Sequence, residues 1–300
     1  MPQTPTDAMP FGGAWTEKKL ECLAKYLKAY TTIFHANPRA RYFTTYYVDA
    51  FAGTGYVRTK PMRIRNRFAL FEELRSPETR EYLEGSAIRA LMTEPAFDRF
   101  LFIEKDPERC SELESLRVRF PKKAEAIDIR SGEANSILPQ WFSSTDWRRT
   151  RAVLFLDPCA TEVKWNLIEQ IAETKAIDLW LMFPCMAVNR LLTNRGKPRP
   201  SWAKLLTEIT GTEDWKTEFY KTDLQPTLFG ERAVTLKQAG YEKIGRFILK
   251  RLADAKFAGV ARNPLILSSS KSPLFLLCFA AANEKAAPTA IKIAQSIIEG

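Results

Sequence analysis

Apolar and polar positions along this chain follow two periods. Leu20, Leu23, Ala24, Leu27, Tyr30 and Phe34 recur every three or four residues, which predicts an amphipathic helix over 16–34 with Thr16 as its N-cap. Asn37-Pro38 ends that helix. Near-continuous apolar runs of strand length then recur at 46–51, 100–103, 126–129, 152–156 and 176–183. Helical spacing returns between most of them, over 107–120 and 162–174, and Gly85-Ser86 reads as the start of another helix. Strands apolar on both faces and alternating with helices predict a doubly wound, mostly parallel α/β sheet. From Met186 to about Ala255 the pattern turns helical and polar, as in an inserted helical subdomain. Stretches 256–267 and 272–281 read as two strands joined by Ser268-Ser269-Ser270, a link short enough to require an antiparallel pair. A helix over 285–299 closes the chain. The expected organisation is an N-terminal helical segment (1–40), a Rossmann-like domain (41–185 and 256–300) and a helical insertion (186–255).

Composition narrows the class. With 300 residues and 45% hydrophobic content the chain can bury a full core. Its apolar runs break before membrane length, and Met1 to Pro10 lacks a basic start followed by an apolar stretch, so neither a membrane span nor a secretory signal is expected. Five scattered cysteines without a Cys-x-x-Cys pair, and a single histidine, argue against zinc or iron–sulfur sites. Reduced thiols in the cytoplasm are the simplest expectation. The formal charge of +10 favours a polyanionic partner such as nucleic acid, the other reading being a generally basic, solvated surface.

In open parallel sheets ligands bind beyond the carboxyl ends of the strands, so strand-end residues are the candidate site. The run Asp49-Ala50-Phe51-Ala52-Gly53-Thr54-Gly55 passes from strand to glycine-rich loop, where peptide N–H groups can approach a ligand. A dinucleotide fingerprint needs a third glycine where Arg58 stands, which disfavours a nicotinamide enzyme and suits a single adenosyl group. A tight β-turn is the alternative. Glu104 ends the second strand, where a carboxylate can accept both ribose hydroxyls. Glu133 follows the third strand, placed for an adenine amine or for a plain turn. Asp157, ahead of Pro158, ends the fourth strand, where it can hydrogen-bond an amine nucleophile and relay its proton. Two basic clusters, Arg58, Arg63, Arg65 and Arg67, then Arg195, Lys197 and Arg199, are candidate phosphate contacts, with Tyr56, Phe68 and Trp202 nearby for stacking.

The stretch Tyr47 to Gly55, Gly85-Ser86-Ala87, Phe102-Ile103-Glu104-Lys105-Asp106, Gly132-Glu133-Ala134-Asn135, Phe155-Leu156-Asp157-Pro158 and Ile177-Asp178-Leu179-Trp180 with Phe183-Pro184 occur in that order. In that order the chain resembles the three-Cys-motif partner protein family, a bacterial and phage group, from about Trp15 to the closing helix. The resemblance implies a class I methyltransferase fold using S-adenosylmethionine, and a separate partner protein that carries the cysteines. Asp49, Phe51, Gly53, Gly55, Glu104 and Glu133 would hold the cofactor and Asp157 would be catalytic. Similar families have an aromatic residue and a glycine after Asp-Pro. This chain has Cys159 and Ala160, which puts base methylation by stacking of a flipped base in doubt. The expected activity is methyl transfer on or near nucleic acid. The alternative is a non-catalytic nucleic-acid-binding or adaptor subunit that retains the fold.

Overall fold

The five apolar runs form five parallel strands, β1 (Thr44–Asp49), β2 (Arg99–Glu104), β3 (Ile127–Ser131), β4 (Thr150–Leu156) and β5 (Ile177–Phe183). The computed structural model describes residues 14–53, 77–228, 230–268 and 272–300. The strands lie side by side in the order β3-β2-β1-β4-β5, all in parallel register. The chain thus steps from β1 outward through β2 to β3 and returns to the far side of β1 for β4. That reversal places a switch point between β1 and β4, where neighbouring connections depart in opposite directions. Beyond β5, β10 (Pro273–Ala281) runs antiparallel, and β8 (Gly259–Val260) and β9 (Leu265–Ser268) pair antiparallel with it. This is the mostly parallel, Rossmann-like sheet of a class I methyltransferase-type fold, with its antiparallel return strand. The turn residues Ser269 and Ser270 lie outside the described residues.

Side-chain alternation along β1 divides the core into two layers. Tyr47 is fully buried towards α1 (Ala14–Ala36), through Phe97 at 6.0 Å between ring centroids and then Tyr30 at 5.7 Å. Its neighbour Tyr46 packs on Trp141 of α5 (Ala134–Ser144) at 5.5 Å. Adjacent residues of a strand point to opposite faces, and right-handed crossovers put the β1–β2 and β3–β4 connections on opposite sides. So α1, α2 (Pro77–Met92) and α11 (Ala287–Glu299) cover one layer. The other holds α5 and α6 (Trp165–Glu173). Two short helices, α3 (Pro107–Leu113) and α4 (Ser115–Arg119), bridge β2 to β3. Every residue of β5 is buried, which is why its sequence reads as an unbroken apolar run.

Three expectations about elements need correction. Thr16 lies inside α1 and is not its N-cap. Gly85 and Ser86 lie in the middle of α2 and do not begin it. A Cβ at Gly85 would collide with the side chain of Leu20, so glycine is there to let α1 and α2 approach closely. The segment after β5 is not helical throughout. It contains α7 (Cys185–Leu191), α8 (Pro200–Thr210), α9 (Trp215–Glu218) and α10 (Tyr241–Asp254), and also a hairpin of β6 (Tyr220–Thr227) and β7 (Gly230–Lys237). The hairpin is solvent-exposed along most of its length, so no period of two appears in its apolar residues. Buried side chains of α7, α8 and α10 join the same hydrophobic cluster as the sheet.

Candidate functional site

The carboxyl ends of β1, β2 and β4 bring three predicted acids to one edge, each held differently. Asp49, the last residue of β1, is completely buried. Its Oδ1 accepts from the Phe51 backbone N–H at 3.2 Å and its Oδ2 from the Tyr47 hydroxyl at 3.3 Å. Burial pushes its carboxyl up to about 6, against hydrogen bonds, from Ser86 first, that pull the other way. Asp49 therefore fastens the start of the loop from inside and does not line the cleft.

Glu104, the last residue of β2, reaches across to that loop. Its Oε2 accepts from the Gly53 N–H at 3.0 Å, and its Oε1 accepts from the Asp106 N–H, also at 3.0 Å. Gly53 has φ +66, the left-handed region that a side chain resists and a branched one resists most. Glycine at this point turns the loop so that its peptide N–H meets the carboxylate. Each oxygen of Glu104 keeps a further lone pair for a ligand hydroxyl. Glu133 stands at the N-cap position of α5, directly after Gly132, and is exposed. Gly55 and Arg58, Arg63, Arg65 and Arg67 lie outside the described residues.

Phe51, Glu104 and Glu133 share a cleft of about 40 Å³ with Lys105, Arg109, Cys159 and Glu162. Pockets that enclose small ligands are nearer ~300–1,000 Å³. A side-chain bridge among these lining residues is one that sequence reasoning missed. Lys105 Nζ lies 2.5 Å from Glu162 Oε1, while Glu162 Oε2 accepts from the Cys159 N–H at 3.1 Å. Asn135 braces the same turn, donating to the Glu162 carbonyl and accepting from the Lys164 N–H. Lys105 is half exposed. Exposed pairs of this kind hold by only ~0–1 kcal/mol, so the bridge is cheap to open. The Cys159 thiol is pushed up to about 12, chiefly by burial, and stays protonated at neutral pH. A raised thiol pKa disfavours the thiolate that a nucleophile needs.

Asp157, at the end of β4, has a partner that its position in the sequence does not announce. Lys19 of α1 places Nζ 2.6 Å from Asp157 Oδ2, with both side chains almost wholly buried. The ammonium also sits over the rings of Trp15 and Phe155, at 5.7 and 5.8 Å from their centroids. A signal for this was present, because Trp15, Lys19, Leu23, Tyr26 and Tyr30 fall on one helical stripe. A lysine in a core stripe needs a buried counter-charge.

The basic loop with Arg195, Lys197 and Arg199 lies between α7 and α8. All three side chains are exposed. The Arg199 guanidinium lies over Trp202 at 5.1 Å. The loop is pinned from behind, since Lys237 of the hairpin donates to the Asn189 and Leu192 carbonyls at 2.6 and 3.1 Å. Among the described residues no group of histidine, cysteine and carboxylate side chains could hold a metal, and no helix is long and apolar enough to cross a membrane.

No protein-family model matches the chain, and no curated protein sequence matches it. Among solved structures it is similar to protein LPL1258 from Legionella pneumophila, of the family model DUF519, at 14% identity and TM-score 0.45, over 96% of this chain and 92% of that one. It is also similar to the glycopeptide N-methyltransferase MtfA solved with S-adenosyl-L-homocysteine, at 10% identity and TM-score 0.31, over 86% of this chain and 89% of that one. The fold assignment itself rests on the strand order and register of this chain: parallel strands in the order β3-β2-β1-β4-β5, with the switch point between β1 and β4 and an antiparallel return strand beyond β5.

Proposed function

We propose that this protein binds S-adenosylmethionine at the carboxyl edge of its sheet and acts as a methyltransferase on or near nucleic acid. The proposal extends to membership of the three-Cys-motif partner group and to a separate cysteine-bearing partner protein. The observation that carries the cofactor reading is the Gly53–Glu104 contact, a left-handed glycine N–H on a strand-end carboxylate beside the β1/β4 switch point. The donor set fits an adenosyl group. Glu104 offers acceptors to ribose hydroxyls, Phe51 an apolar wall, and Glu133 an acceptor at the far side. Opening the Lys105–Glu162 bridge supplies room. When bound, the cofactor supplies an electrophilic methyl group. Asp157 would accept a hydrogen bond from the nucleophile and receive its proton, with Lys19 fixing the orientation of the carboxylate. The exposed cations of the 195–199 loop would contact phosphates.

One observation favours the second reading, a nucleic-acid-binding or adaptor subunit without methyl transfer. The Lys19 ammonium already occupies Asp157, and Cys159-Ala160 offers no ring for stacking. Calorimetry of the full chain with S-adenosylmethionine, S-adenosylhomocysteine and NAD separates the cofactor readings. Binding of the first two and not NAD is expected, and NAD binding alone would reverse the assignment. Methyl transfer to DNA or RNA with labelled cofactor then decides between enzyme and adaptor.

A further inference from the structure

A second cavity lies at the opposite, amino edge of the sheet, away from the strand ends discussed above. A cavity of about 440 Å³ opens between α1 and α11, over the starts of β4 and β5. Its volume falls in the range of small-ligand pockets. Tyr26, Tyr30, Phe34 and Phe43 give it an aromatic side, and Ala286, Ala290 and Ile293 of the C-terminal segment close it from the other. Small alanine side chains leave the width that a flat ring needs.

Its polar groups point to a ligand. The Tyr30 hydroxyl is buried and has no hydrogen-bond partner among the described residues. The Arg151 guanidinium stacks on Phe43 at 4.0 Å, and its Nη1 donates to the Trp147 and Thr150 carbonyls, each at 2.6 Å. Those bonds fix the plane and use only part of the five-donor fork. Arg39 and Lys285 stand exposed at the rim. The one acid in the wall, Asp178, is tied down by the Tyr26 hydroxyl at 2.6 Å. Burial pushes its carboxyl up to about 7, so its opposition to an anion falls away below neutral pH.

We propose that this cavity is a second ligand site, for a small planar aromatic molecule bearing one carboxylate. The ring lies between Phe34 and Ala290, and the anion meets Arg151. The site is independent of the adenosyl cleft, so either can fail without the other.

The test uses the full chain and two probes that share a ring and differ in charge, indole-3-acetate and tryptamine, titrated by calorimetry and by NMR shift changes. Indole-3-acetate should bind, and tryptamine should bind at least tenfold more weakly. Arg151→Met should weaken indole-3-acetate at least tenfold. Ala290→Trp should fill the cavity and abolish binding, and Ala286→Trp, at a more exposed wall position, does the same job should the first variant fail to fold. No binding of indole-3-acetate to the wild type, equal binding of tryptamine, or binding that survives a folded tryptophan variant would each overturn the proposal.

Discussion

The two edges of the sheet handle a buried carboxylate in opposite ways. At the carboxyl edge Asp157 is met by the buried ammonium of Lys19, and Lys105 and Glu162 pair beside the neighbouring cleft of about 40 Å³. At the amino edge Asp178 is met by the neutral hydroxyl of Tyr26, beside about 440 Å³ of open space. Both partners come from α1, which runs from one edge to the other with Lys19 near its start and Tyr26 two turns on. A full counter-charge holds a buried acid through a charge-assisted bond. A neutral donor leaves it able to change protonation. Among the described residues the carboxyl edge thus carries two ion pairs, one buried and one exposed, and the amino edge a neutral hydrogen bond beside an open cavity.

The largest effect should come from breaking the ionic side of that contrast. Lys19→Met leaves Asp157 buried without its partner, and chemical denaturation should show a loss of about 3–5 kcal/mol. The double variant Lys19→Met/Asp157→Asn should recover part of it. A loss below about 1 kcal/mol for the single change would mean that water reaches Asp157 and that the pair adds little to stability.

The neutral side should reveal itself through pH. Asp178 has its folded value raised to about 7, above an unfolded value of ~3.9. Over that interval the folded state binds more protons, so this group's contribution to stability falls as pH rises from about 4 to about 7. Asp49, raised to about 6, adds a slope of the same sign. Asp178→Asn should remove on the order of 2–4 kcal/mol of that fall, read as the difference between wild-type and variant stability curves against pH. Parallel curves would show that Asp178 is ionised throughout.

Smaller changes concern ligands at the carboxyl edge. Glu104→Gln should weaken S-adenosylhomocysteine by about 1–3 kcal/mol, because the ribose hydroxyls would then meet a neutral amide in place of a carboxylate. Equal affinity of the wild type for a 2′,3′-dideoxy analogue would remove the ribose from the account. Smallest of all, replacing Arg195, Lys197 and Arg199 together by alanine should flatten the plot of log affinity for nucleic acid against log salt. The slope should shrink by roughly 0.7–0.9 for each phosphate that the variant no longer neutralises. Identical slopes would make the loop a solvated face.

Much of the fold was legible in the sequence because parallel strands buried on both faces leave unbroken apolar runs such as Ile177–Phe183. The strand-end acids Asp49, Glu104 and Asp157 were legible as positions, since each closes such a run. Their partners were not. Lys19 is separated from Asp157 by 138 residues, and Lys105 from Glu162 by 57, so only tertiary structure brings them together. Asp49 looked like a cleft residue because it precedes the glycine loop, yet its pleat turns the side chain inward to Tyr47. The β6–β7 hairpin escaped notice because exposed strands carry no apolar alternation. The amino-edge cavity is assembled from α1, two strand starts and α11, and no local pattern announces such a union.

The most direct test of the central claim is calorimetric titration of S-adenosylhomocysteine into the wild type and into Gly53→Val, with circular dichroism to establish that the variant is folded. The account predicts binding to the wild type and none to the variant, since a β-branched residue resists the left-handed turn that sets the Gly53 N–H on Glu104. Unchanged binding in a folded Gly53→Val protein, or no binding to the wild type, would contradict the assignment of the carboxyl edge as the adenosyl site.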